Sequence, residues 1–266
     1  MTQFICWIKA TSMDKHGLVV AACCVGLSVV VGAQWLDHPT AGIPRLPNGK
    51  ANLAAPTPRK TNGQPDLSGI WQVPGLKYLI NIAADLKDVP FQPWADAVYK
   101  ERVANFGKDD PNNRCLPSIT PEKIAVTSPW KIVEMPGVTI VLYESRTIFR
   151  QIFTDGRPFP RDMQPAWQGY SVGTWDGDTF VVDTRGFNDK GWLDTNGHPV
   201  TDALHVIERY TRKDFGHMDV AITIDDPKAY TRPWTVVEPA VYQPDTELIE
   251  YICEENNKDP QHIVGK

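Results

Sequence analysis

The sequence predicts a mainly β fold, an antiparallel meander that closes into a barrel, with a β-sandwich as the alternative closure. Three observations carry this. Between residues 130 and 253, short runs of alternating apolar and polar residues recur, each bounded by turn signals. Hairpin-like turns such as Asp176-Gly177-Asp178 and Lys213-Asp214-Phe215-Gly216 join neighbouring runs. No long helical segment separates the later runs, so a parallel βαβ sheet does not fit. A sequential sheet of about ten strands has edges that invite aggregation, and closure removes them.

The elements follow in chain order. Lys9, Lys15 and His16 precede an apolar run, Gly17 to Val31, and Val31-Gly32-Ala33 offers small residues for cleavage before Gln34. Residues 1–33 therefore read as a signal peptide. Translation from Met13, an uncleaved anchor, or a lipoprotein cut before Cys23 are the alternatives, although the run is short for a membrane span. Residues 34–66 hold Pro39, Pro44, Pro47, Pro56, Pro58 and Pro65 and read as an extended arm. A single β-rich domain follows, residues 67–266, opening on a strand at Ser68–Val73. A helical insertion spans about 77–106, interrupted by Pro90 and Pro93, with Trp94, Val98 and Val103 on one face of its second piece and Lys100, Glu101 and Arg102 exposed. Residues 107–130 read as loop. The remaining strands are expected at 131–134, 138–144, 147–154, 170–175, 179–184, 203–212, 218–225, 234–242 and 248–253.

Composition narrows the function. A net charge of −5 over 266 residues, with no basic run, argues against a nucleic-acid partner. Once the signal is removed, Cys115 and Cys253 remain, which in an exported protein suggests one disulfide; two buried thiols are the alternative. No G-x-S-x-G, G-x-G-x-x-G or P-loop is present, so neither a hydrolase elbow nor a nicotinamide or ATP site is implied, and no cofactor is expected.

The residues able to do chemistry gather between Arg150 and Asp225. On the strand 203–212, alternation puts His205, Ile207 and Arg209 on one face and Leu204, Val206, Glu208 and Tyr210 on the other. Whichever face points inward carries an ionisable group. His205 and Glu208 are thus the first acid/base candidates, followed by His217 and Asp202. The spacing Asp194-x3-His198-x3-Asp202-x2-His205 would also suit imidazole and carboxylate metal ligands, but Asn196-Gly197 puts His198 in a turn open to solvent. Arg157, in a loop stiffened by Pro158, Pro160 and Pro165, and Arg209 are candidates for holding an anionic ligand. Trp167, Tyr170 and Trp192 could line a binding cavity, although large aromatics are core residues first.

Gly69-Ile70-Trp71 resembles the Gly-x-Trp that begins the first strand of lipocalin-like barrels. The blocks TDGRPFP, GYSVGTWDGDTFVVDTRGFND and DALHVIERYTRKDFGHMDVAITIDDPKAYTRPW resemble a widespread family of exported bacterial proteins, over residues 34–266. That resemblance implies export to the periplasm or beyond and a single domain; it brings no activity or catalytic residue with it. The expected function is the binding of a small or medium organic ligand in a lipocalin-like barrel. Its catalytic form is a cofactor-free lyase, isomerase or hydrolase. A non-catalytic carrier and a metal-dependent hydrolase are the alternatives.

Overall fold

Strict alternation builds the sheet. In the strand His217–Asp225 every second side chain is buried, and in Trp234–Tyr242 the buried positions are again every second residue. One face thus turns to a core and the other to solvent. The structure is a computed structural model, and it describes residues 39–255. The expected signal peptide lies outside the described residues.

Among the described residues, nine strands close into a barrel: β1 (Gly69–Gln72), β2 (Trp130–Met135), β3 (Val138–Tyr143), β4 (Ile148–Phe153), β5 (Tyr170–Asp176), β6 (Thr179–Arg185), β7 (His205–Arg212), β8 (His217–Asp225) and β9 (Trp234–Tyr242). The strands neighbour one another in sequence order, and Trp71 opposite Tyr242 closes β1 on β9. The interior is filled by side chains, among them Trp71, Trp130, Phe180, Tyr210 and Trp234, none more than 4% exposed. The aromatics of the strands are therefore mainly core.

Three expectations are corrected. The meander is not wholly antiparallel: the long connection 154–169 carries the chain back, and β5 runs parallel to β4, Ile152 opposite Ser171. The segment 248–253 forms no strand; with β9 already paired to β1, the barrel has no free edge to receive it. The helical content is also redistributed. Within 77–106 it comprises α1 (Lys77–Ile80) and α2 (Pro93–Ala104), and a further helix, α3 (Thr120–Ala125), lies in the stretch read as loop. On α2 the inward face is Ala95, not Trp94 and Val103, which are 44% and 42% exposed. Arg102 is half-buried, its guanidinium 4.2 Å from the Trp192 ring centre.

The two barrel ends differ. The arm packs against one of them, with Phe215 and Gly216 donating backbone hydrogen bonds to Ala55 and Leu53. There Arg212 donates to the carbonyls of Asp66 and Phe215 and lies over Trp71 and Tyr242. The Gly69-Ile70-Trp71 strand start gains a physical reason here: Gly69 has φ +123° and lies against the Tyr242 ring, which a Cβ would strike. Gly69→Ala should cost about 1–2 kcal/mol from the positive-φ backbone alone, read as a lower urea midpoint at unchanged slope. The helices and the loops 186–204 and 226–233 gather at the other end. Cys115, just after a 3-10 turn (Pro111–Arg114), is bonded to Cys253, with 5.6 Å between their Cα atoms.

Candidate functional site

The orientation of β7 decides which candidates meet. Val206, Glu208 and Tyr210 point into the barrel, and His205, Ile207 and Arg209 point out. His205 and Glu208 are therefore on opposite faces and share no site.

Glu208 is fully enclosed. Arg150 of β4 donates to it from both terminal nitrogens, Nη1 at 3.0 Å, and the Tyr210 hydroxyl donates at 2.7 Å. The remaining Arg150 donors meet Ser171 Oγ at 3.0 Å and Thr184 Oγ1 at 2.7 Å. Charge and hydrogen bonds are satisfied inside this group, which is how a buried ion pair persists.

His205 meets a different environment. Its Nε2 lies 2.8 Å from Asp183 Oδ1, and its Nδ1 lies 3.9 Å from Asp225. Asp183 is placed by the alternation of β6, on the outer face beside His205; Asp225 is its cross-strand partner on β8. Arg185, two residues further along β6, holds the second Asp183 oxygen at 3.2 Å. Of these, His205 and Arg185 border a cleft of about 540 Å³ on the barrel rim. Met163, Pro165, Phe187 and Leu204 give it an apolar lining, and Arg185, Asp202 and His205 give it polar groups. Asp202 is bridged by Lys228 at 2.6 Å, which holds its carboxyl below the usual range.

Two of the predicted catalytic residues, His205 and Asp202, thus share a cleft. The other candidates lie elsewhere. His217 sits at the arm end, Nδ1 2.8 Å from Asp214. Arg209 pairs with Asp176 at 2.7 Å on the outer wall. Arg157 is held by Asp155 at 2.6 Å, over the Phe153 ring, and Tyr170 stacks on the same ring at 5.1 Å. Trp167 packs half-buried against the core, and Trp192 is buried beneath Arg102.

The turn holding Asp194 and His198 is not open to solvent, a further correction. Both residues are buried, and His198 Nδ1 lies 2.6 Å from Asp194 Oδ2. Asp194 also accepts the backbone N–H groups of Ile82 at 2.8 Å and Gly197 at 2.9 Å. The His198 ring packs against Tyr99 and Phe91, at 4.4 and 5.4 Å, and those two rings stack on each other at 5.2 Å. Among the described residues, no group of three or more His, Cys, Asp or Glu side chains is placed to hold a metal ion.

Sequence reasoning missed Asp183 and Arg185, although the alternation of TFVVDTR placed both on one face. It also missed α3, whose Glu122 and Lys123 are buried together. Burial disfavours their charged forms. It raises the Glu122 carboxyl to about 8 and, with Arg146 nearby, lowers the Lys123 amine to about 7.

No protein-family model matches the chain, and no curated protein matches it. Among the described residues, no helix is long and apolar enough to cross a membrane.

Proposed function

We propose that the chain is an exported protein that binds a small organic molecule in the rim cleft and performs acid/base chemistry on it through His205. The observation that carries this reading is the 2.8 Å contact between His205 Nε2 and Asp183 beside an apolar-lined cleft. A carboxylate holding one imidazole nitrogen fixes the orientation of the ring. The other nitrogen is left to take or give a proton. Arg185 and Asp202 orient polar parts of the ligand, and the apolar lining holds its body. Glu208 is assigned to stability, because its oxygens are already taken by Arg150 and Tyr210. In this reading residues 1–33 are removed on export, and the Cys115–Cys253 disulfide supports an oxidising compartment.

A thermal-shift screen of small lipophilic acids, esters and lactones with the full chain would find ligands, and each would then be assayed for turnover. His205→Gln is expected to lower the rate on an accepted substrate by about 10²–10⁴-fold with binding largely kept. Asp183→Asn should lower it less, because the ring loses only the group that orients it. Ligands that bind without turnover, with affinity unaffected by His205→Gln, would make the protein a carrier. Ligands that bind equally well after Leu204→Arg would place the site elsewhere.

A further inference from the structure

The turn between β3 and β4 is strained. Arg146 and Thr147 have φ of 64° and 48°, left-handed values that non-glycine residues rarely adopt. The turn holds Ser145, 7% exposed, against α3. From α3, the fully buried Lys123 extends its Nζ to Ser145, donating to the carbonyl at 3.0 Å and lying 3.2 Å from Oγ. An amine lowered to about 7 is neutral for much of the time near physiological pH and is then able to accept a proton from that hydroxyl. Arg146 completes the group. Its Nη1 lies 3.5 Å from Ser145 Oγ and its Nη2 donates to Asn112 O at 2.9 Å, while its Nε is buried without a hydrogen-bond partner. A buried donor left unused beside a serine and its base is what a developing oxyanion requires.

We infer that Ser145, Lys123 and Arg146 form a second site, a nucleophile, base and oxyanion donor for acyl transfer from a small ester. Lys123 accepts the Ser145 proton as Oγ bonds to the ester carbonyl carbon, and Arg146 faces the oxygen that gains the charge. The ester C–O bond then breaks, and the alcohol leaves with the proton from Lys123. Water adds to the acyl-serine with Lys123 again taking its proton, the carboxylic acid departs, and Ser145 is restored. Serine–lysine pairs perform this chemistry on unrelated folds.

The site is covered by the chain's own C-terminal segment. Ile249 N donates to Glu144 at 3.1 Å, and Thr147 Oγ1 donates to Tyr251 O at 3.0 Å, so the segment is tied on both sides of Ser145. Ile249, Tyr251 and Ile252 remain nearly half exposed, so burial contributes little to holding it. The Cys115–Cys253 bond is its covalent fastening. Reduction would free the segment and open the serine.

The test is labelling of the full chain with a fluorophosphonate, located by peptide mass spectrometry. Ser145 is expected to be labelled at least tenfold faster in Cys253→Ser, or after mild reduction, than in the oxidised protein. Ser145→Ala should abolish the adduct, and Lys123→Met should slow it at least tenfold. Since Lys123→Met could unfold α3, the pH profile of the Cys253→Ser protein is the second measurement. Its labelling rate should rise about tenfold from pH 6 to pH 8, which a merely structural lysine would not produce. No adduct at Ser145 in the opened protein, or a rate flat across that pH range, would overturn the dyad. Equal labelling of the oxidised and opened forms would overturn the covering role.

Discussion

Glu208→Leu is expected to lower the stability of the barrel by about 3–5 kcal/mol, because it strands a buried guanidinium. Arg150 is 2% exposed, and burial works against its charge; Glu208 overrides that and keeps it firmly protonated. Ser171 and Thr184 would still accept from Arg150, but neutral oxygens do not replace the carboxylate charge. Tyr210 would also lose the acceptor for its buried hydroxyl. The double change Arg150→Met with Glu208→Leu removes both charges and should recover most of the loss. Urea unfolding with the disulfide intact would measure both, as a shift in midpoint at constant slope. A loss below about 1 kcal/mol in the single variant would mean that water or a rearranged side chain neutralises Arg150, and the group would not be the closed pair described.

The strands were legible because alternation is a local signal, and all nine fall within two residues of where the pattern puts them. What alternation could not decide was which face of β7 turned inward. Both faces offered an ionisable group among apolar ones, and the choice depended on Phe180, Val182 and Val220 of the neighbouring strands. The helix α3 was illegible for a related reason. All six residues of TPEKIA are buried, so no exposed face gives the sequence a helical period, and a Glu-Lys pair ordinarily marks a solvated surface. The Asp194–His198 turn was misread because Asn-Gly turns normally face water; here Phe91 and Tyr99, distant in sequence, cover it. Asp183 illustrates the opposite case. Its position followed from the pattern, but its role beside His205 follows from strand order, which one sequence does not print. In the candidate site, then, His205 and Asp202 were readable, and the partnership of His205 with Asp183 and Arg185 was not.

Glu238→Gln is expected to gain stability on the wild type as pH rises, by about 2–3 kcal/mol between pH 5 and pH 7.5. Glu238 points into the barrel from β9, opposite Val220, and is completely buried. Neither of its carboxyl oxygens has a hydrogen-bond partner. Burial, reinforced by the nearby Glu208 carboxylate, pushes this carboxyl well above its ordinary range, so the folded protein holds it protonated. The unfolded chain releases the same proton above about pH 4.3. Above that pH the unfolded state therefore binds fewer protons than the folded one, and linkage makes stability fall as pH rises, by up to about 1.4 kcal/mol per pH unit for this one group. The decline continues until the folded carboxyl itself ionises. Glu122, raised to about 8 by burial, tilts the profile in the same direction, so the wild-type slope alone does not isolate Glu238. The difference between Glu238→Gln and wild type does, because glutamine keeps the size and the uncharged form and removes the titration. Equilibrium unfolding at half-unit intervals from pH 5 to pH 8 would show the two curves closest at the acid end and diverging above it. Parallel curves would mean that Glu238 is ionised in the folded state, with a compensating cation or water inside the barrel.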